Sequence, residues 1–162
     1  MTRFKEVAGD LIKNFEKDEY DAIVHGCNCF HIMGAGIANQ ISLKYPQAFA
    51  ADKQSDCGSM FKLGTLTIAD TSNGKIVNAY TQFLPGANFE YSAFLDCLET
   101  INAIFKGKHV AFPQIGCGIG GGQWLYVVDM LKLYLKDLKQ VTVVHYDNGD
   151  ETVGQGRINF QP

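Results

Sequence analysis

Residues 22 to 38 read AIVHGCNCFHIMGAGIA. The stretch opens on an apolar run, Ala22-Ile23-Val24, of the length and type of a buried strand. A polar, turn-like segment follows from His25 to Asn28, and a knot of small residues, Gly34-Ala35-Gly36, leads into a helical pattern from Ile37. Strand, small-residue loop and helix start together present backbone N–H groups to an anion. The pattern recurs at Val110 to Trp124, VAFPQIGCGIGGGQW, which again runs from apolar strand through glycine-rich loop to helix start. Two such loops in one domain predict an extended ligand with more than one phosphate or ribose-phosphate group.

The flanking elements follow from periodicity and punctuation. Upstream, Arg3 to Val7 reads as a short edge strand, broken at Gly9-Asp10 before a helical turn from Leu11 to Phe15. The first full strand spans Asp21 to Cys27. A helix over Gly36 to Tyr45 places Ile37, Ile41 and Tyr45 on one face. Pro46 ends it and opens a second short helix through about Lys53. After a loop from Gln54 to Leu63, the strands Thr65 to Ala69 and Ile76 to Thr81 pair across Asn73-Gly74, a hairpin signal. Phe83 to Asn88 is a loop near the ligand, and Asn88 caps a helix from Phe89 to Phe105 whose Phe94, Leu98, Ile101 and Phe105 face the core. Gly107 stops that helix. His109 to Pro113 is a strand, Gln123 to Leu138 an amphipathic helix, and Val141 to Tyr146 the last strand. Asp147 to Pro162 reads as a polar tail or a small added strand.

Strands alternating with helices indicate an α/β layered domain. The near-continuous apolar runs His109 to Phe112 and Val141 to Val144 suit strands covered on both faces, and the hairpin adds an antiparallel pair. The expectation is a mixed, mostly parallel sheet flanked by helices. Ligands of such sheets sit beyond the carboxyl ends of the strands, where both glycine loops lie.

Composition narrows the partners. With 162 residues the chain fits one domain, read as 1–146 plus the tail, able to bury roughly 70% of its unfolded surface. Its net charge of −3 and lack of a dense Lys/Arg cluster argue against direct nucleic-acid binding. A small anionic ligand is still allowed, because loops and helix starts hold phosphates without side-chain charge. No apolar stretch approaches the ~18 residues of a membrane span, and the first residues lack a signal-peptide core, so the cytoplasm is expected. The five cysteines, Cys27, Cys29, Cys57, Cys97 and Cys117, fit reduced thiols. Cys27-x-Cys29 does not have the usual zinc spacing, so neither a metal nor a cofactor is expected.

Three pieces in order carry a family resemblance: Gly9-Asp10-Leu11-Ile12; Cys27-Asn28 followed by Met33-Gly34-Ala35-Gly36-Ile37-Ala38; and Ile115-Gly116-Cys117-Gly118-Ile119-Gly120-Gly121. Across about residues 3 to 146 the chain resembles a macrodomain, the three-layer α/β/α module that binds ADP-ribose. His25-Gly26-Cys27-Asn28-Cys29 looks most like the branch containing yeast ADP-ribose 1″-phosphate phosphatase and phage macrodomain proteins. The resemblance implies that Asp10 accepts from the adenine amino group, with the Leu11 backbone beside it. It implies that Asn28 binds hydroxyls of the distal ribose. Gly34, Ala35, Gly36 and Ile37 would approach that ribose and its phosphate, while Cys117, Gly118, Ile119, Gly120 and Gly121 wrap the diphosphate. Tyr146 or Asp147 would flank the adenine. The implied ligands are ADP-ribose, its derivatives and ADP-ribosylated macromolecules.

For chemistry, the resemblance implies hydrolysis of ADP-ribose 1″-phosphate to ADP-ribose and phosphate, with His25 as nucleophile or acid/base and Asn28 beside it. The alternatives are a non-catalytic ADP-ribose reader and a hydrolase of ADP-ribosyl or O-acetyl-ADP-ribosyl esters. Lysine-dependent ADP-ribosyl hydrolases carry a Lys near Gln82 and an Asp near Gly120. A Gln forms no Schiff base and a Gly carries no acid/base group, which speaks against that mechanism. An ordinary dinucleotide oxidoreductase is disfavoured by the lack of a clean Gly-x-Gly-x-x-Gly after the first long strand.

Overall fold

A computed structural model describes residues 1–147. It contains one six-stranded sheet, ordered β1-β6-β5-β2-β4-β3. The strands are β1 (Arg3–Gly9), β2 (Ala22–Cys27), β3 (Leu66–Thr71), β4 (Gly74–Tyr80), β5 (His109–Phe112) and β6 (Gln140–Tyr146). All neighbours pair parallel except the β3–β4 hairpin, so the antiparallel strand lies at the edge. The helices are α1 (Leu11–Glu16), α2 (Gly36–Lys44), α3 (Pro46–Lys53), α4 (Tyr91–Ile104) and α5 (Trp124–Tyr134). This is the expected α/β architecture with a mixed, mostly parallel sheet.

The strand period of two divides the core. From β2, Ala22 and Val24 join Phe94, Leu98, Ile101, Val127 and Leu131 of α4 and α5 on one face. Ile23 joins Phe15, Ile41 and Ala48 of α1, α2 and α3 on the other. Both faces of the central strands are therefore covered, which is why β5 and β6 read as apolar runs. Pro46 stands at the start of α3, where a missing N–H costs nothing. No described helix is long and apolar enough to cross a membrane.

Several boundaries differ from expectation, each for a local reason. The fourth helix starts at Tyr91 with Glu90 as its cap residue. Asn88 turns its amide back to the Pro85 carbonyl instead (2.8 Å), and Phe89 pairs with Gln82 in an isolated bridge. The fifth helix stops at Tyr134 because Leu135 leaves helical geometry. Leu135 and Leu138 are still buried, so the apolar spacing continues past the helix end. The loop from Gln54 to Leu63 contains a short 3-10 turn, Met60–Lys62, capped by Ser59. β1 extends to Gly9, and β4 begins at Gly74. Beyond Asp147 the expected tail or added strand lies outside the described residues.

Candidate functional site

Beyond the carboxyl ends of β2, β4 and β5 opens a cleft of about 540 Å³. Gly26 and Cys27 form its floor. One wall is Asn28, Ile32 and the run Gly34 to Ala38; a second is Pro113 to Gly116 with Gly118 to Gly120; the third is Thr81, Gln82, Pro85 and Gly86. Both glycine loops thus meet at one site. Across its mouth, a Cβ placed on Gly36 would touch Ile119 Cδ1 at 3.7 Å.

The first loop leaves β2 through an Asx turn. Asn28 Oδ1 accepts from the Phe30 N–H (2.9 Å), and its Nδ2 donates to the Ile32 carbonyl (2.8 Å). Its amide faces the cleft while shaping its own loop, with a second lone pair and a second N–H left for a ligand. The helix that follows begins at Gly36, whose φ of 59° favours glycine. Ala35 has no side-chain group to cap the first turn. The first-turn N–H groups are left without a side-chain cap, and Gly36, Ile37 and Ala38 of that turn line the cleft, as an anion site requires.

The second loop closes on itself through Gly122 N–H to the Gly116 carbonyl (2.7 Å), with Gly116 and Gly121 at positive φ. Of the residues expected to wrap the diphosphate, Gly118, Ile119 and Gly120 line the cleft. Cys117 and Gly121 do not. The Cys117 thiol donates to the Ile115 carbonyl (3.5 Å), and burial pushes its pKa up to about 11. The cleft carries no Asp, Glu, Lys, Arg or His among the described residues. Its polarity is that of amides, carbonyls and one hydroxyl.

His25, expected from sequence to act in catalysis, is not among the residues that line this cleft. In β2 it shares a face with Ile23, opposite Gly26, and it is fully buried. Its Nε2 lies 2.6 Å from Oδ1 of Asn78, its register partner on β4. Asn78 uses its Nδ2 to donate to the Ala48 carbonyl and to Thr67 Oγ1, so its Oδ1 must accept and His25 carries its proton on Nε2. Burial lowers the histidine pKa to about 4, which keeps the ring neutral. Cys27 Sγ lies 3.8 Å from Nδ1, and burial raises its thiol well above the usual range. The Cys27 thiol is therefore held protonated and unreactive at neutral pH, and the neutral His25 ring is kept from the cleft by burial rather than by its charge.

Asp10 caps α1, its Oδ1 accepting from the N–H groups of Ile12 and Lys13 (both 3.1 Å). Oδ2 is the oxygen left to meet an outside amine. Leu11 buries its side chain in the core, so only its backbone is offered. Tyr146 is 44% exposed at the end of β6, in register with Gly9, and Asp147 N–H donates to the Gly9 carbonyl (2.7 Å). Asp10, Tyr146 and Asp147 thus cluster on the same sheet edge as the cleft, toward β1, without lining the cleft itself.

Thr81 and the pair Pro113-Gln114 belong to the cleft but were not singled out from sequence. Their signal was position alone, since each immediately follows a central strand. Gln82 is a further wall residue: its Nε2 donates to the carbonyls of Leu84 (2.7 Å) and Gly86 (2.8 Å). Its Oε1 lies 3.0 Å from where a Cβ on Gly120 would be. Gln82 and Gly120 are therefore neighbours across the cleft wall.

Comparisons with known proteins agree with this geometry. An "uncharacterized 17.5 kDa protein in tk-vs intergenic region" of Enterobacteria phage T4 is 38% identical over 148 residues, covering 86% of this chain and 94% of that protein. A DNA ADP-ribosyl glycohydrolase of Mycobacterium tuberculosis is 27% identical over 147 residues, but this chain spans only 40% of its length. A shorter match, 42% over 45 residues, links 28% of the chain to 21% of an ADP-ribose 1″-phosphate phosphatase of Aspergillus oryzae. Among solved structures, the macrodomain of Mycobacterium tuberculosis DarG superposes with a TM-score of 0.68 at 26% identity, over 88% of this chain and 98% of that one. Thermosipho africanus DarTG in complex with ADP-ribose shares the fold at a TM-score of 0.74 and 18% identity, over 91% and 42% of the two chains. The Macro domain family model matches residues 24–131, from the strand that holds His25 to the helix behind the second glycine loop. This chain belongs to the Macro domain family.

Proposed function

We propose that this macrodomain hydrolyses ADP-ribose 1″-phosphate to ADP-ribose and phosphate, with water as the nucleophile and no side-chain acid or base. The observation that carries this reading is a cleft whose one ionisable lining side chain among the described residues is the Cys27 thiol, kept neutral by burial, and which is bordered by two loops of backbone N–H groups. Such a site binds phosphates through dipoles and stabilises developing negative charge. It has no acid with which to protonate a leaving group. The bond it suits is therefore one whose leaving group departs as a stable anion. Phosphate qualifies, because its second pKa in an ester is only about 6. In the proposed step Asn28 orients the distal ribose, water attacks C1″, the C1″–O bond breaks and its electron pair leaves with phosphate. The proton of the attacking water passes to solvent.

Turnover of ADP-ribosylated DNA by a lysine mechanism is not supported. The resemblance implies an amine near Gln82 and a carboxylate near Gly120, and neither of these residues supplies one. Esters of ADP-ribose also leave as stable anions and are the next substrate class to test. A reader of ADP-ribose on macromolecules is favoured by one specific observation, namely that the Asn28 amide is already engaged by its own loop. The five free thiols fit a cytoplasmic setting for any of these roles.

The test is phosphate release from ADP-ribose 1″-phosphate in ¹⁸O-water. The expected product is unlabelled phosphate, at a rate that His25→Gln leaves within about threefold and Asn28→Ala lowers by roughly a hundredfold. Labelled phosphate would overturn attack at C1″. Binding of ADP-ribose without phosphate release would overturn the phosphatase and leave the reader.

A further inference from the structure

The second glycine loop folds around a ring that does not line the cleft. Phe89, between β4 and α4, donates its backbone N–H to the Gly120 carbonyl (3.1 Å). Its ring lies so close to the loop that a Cβ on Gly116 would sit 2.3 Å from Cε1, and one on Gly122 would sit 2.9 Å from Cδ2. A Cβ on Gly120 would lie 3.4 Å from the Cβ of Phe89 itself. Residues 116 and 122, joined by the hydrogen bond that closes the loop, therefore both rest on this one side chain. The ring is held from outside the loop by Tyr91 and Phe94, with centroids 5.1 Å and 5.4 Å away.

Glycine serves two different purposes along this loop. At Gly118, which lines the cleft, a Cβ would meet nothing within 4 Å. At Gly116 and Gly122, which press on the ring, no side chain fits. A run this rich in glycine has wide conformational freedom, and ordering it at the moment of binding would cost affinity. A fixed ring on which the backbone is already wrapped removes much of that cost before the ligand arrives.

We propose that Phe89 is a positioning residue whose ring holds the Gly116 to Gly122 loop, free of ligand, in the shape that receives the diphosphate. The proposal rests on the reading of the cleft as the ADP-ribose site. It assigns Phe89 no contact with the ligand.

Phe89→Ala and Phe89→Leu test it by two measurements. The first is amide hydrogen exchange of the free protein. Exchange at Gly122 and its loop neighbours is expected to rise by about tenfold or more in the alanine variant and less in leucine, while β2 and β5 stay protected. The second is calorimetric titration with ADP-ribose and with adenosine, which lacks the diphosphate. ADP-ribose affinity is expected to fall about ten- to a hundredfold in Phe89→Ala, adenosine affinity to hold within about twofold, and leucine to recover part of the loss. Unchanged loop exchange overturns the proposal. So does a parallel loss for both ligands together with lost strand protection, since that marks a general packing role. If the alanine variant does not fold, the leucine variant carries both measurements. A wild-type protein that does not bind ADP-ribose sinks the reading of the cleft, yet the ligand-free exchange measurement still decides whether Phe89 shapes the loop.

Discussion

His25 shows how little the neighbours of a side chain in sequence say about where its strand sends it. It stands three residues before Asn28, which suggested a place at the distal ribose. The alternation of β2 sends it the other way, to the face of Ile23, against Asn78 and α3. That alternation was present in the sequence; what was missing was which face of a doubly covered strand carries the ligand. The neutral ring now makes a thermodynamic prediction. Its pKa of about 4 in the fold lies below the ordinary 6.5, so between those values the unfolded chain binds the extra proton. Stability therefore rises with pH through this window, is fully present above about 6.5 and is lost as pH falls toward 4, a contribution of roughly 3 kcal/mol. His109 and His145 are also lowered by burial and add slope of the same sign. The His25 share is the difference from His25→Gln, which keeps a donor for Asn78 and does not titrate. Urea midpoints from pH 4 to 7 are expected to vary less in the variant; identical slopes would assign the pH dependence elsewhere.

Among the elements, α1 separates capping from recognition. Asp10 begins a helix of only six residues, and its Oδ1 satisfies two of the orphan N–H groups there. Removing the cap in Asp10→Ala is expected to cost about 1 kcal/mol and to weaken ADP-ribose binding. Asp10→Asn retains a capping oxygen but presents an amide in place of the acceptor that the resemblance implies for the adenine amine. Its thermal midpoint is expected to stay near wild type while ADP-ribose affinity drops about tenfold, the loss of roughly one charge-assisted hydrogen bond. Equal affinity for wild type and Asp10→Asn would reduce Asp10 to a cap. Existence and type of the long elements were legible from apolar spacing, as in α4 and α5. Their ends were not, because the competing interactions are tertiary. Asn88 is a good cap by type, yet the β4–α4 loop needs its amide at Pro85, and the helix yields two residues.

At the scale of the whole molecule, the mixed, mostly parallel sheet and the place of both glycine loops at carboxyl strand ends were implied by strand–loop–helix repeats, whereas the strand order and the polar interior were not. Lys62 and Asp52 form a buried pair at 3.2 Å, with Tyr80 donating to the same carboxylate oxygen. Thr67 then links Tyr80 to Asn78 and so to His25. Nothing in the spacing of a surface-looking Lys announces such a partner, for it comes from the 3-10 turn docking on α3 and β4. Lys62→Met strands the Asp52 carboxylate and is expected to cost about 3–5 kcal/mol in urea denaturation, more than the double change Lys62→Met with Asp52→Leu. The same distribution of charge makes a prediction for binding. In the proposed complex the cleft holds a dianionic diphosphate by backbone dipoles at contact range, while the net charge of −3 repels it weakly from afar. Salt screens charges over a Debye length of about 10 Å at 0.1 M but leaves contact hydrogen bonds in place. Raising salt from about 0.05 to 0.5 M should therefore leave ADP-ribose affinity within about twofold or improve it slightly. A site clamped by Lys or Arg would instead lose affinity steeply over the same range. Calorimetric titration across that series decides between them. A tenfold fall would place a cationic side chain on the diphosphate and overturn binding by N–H groups alone.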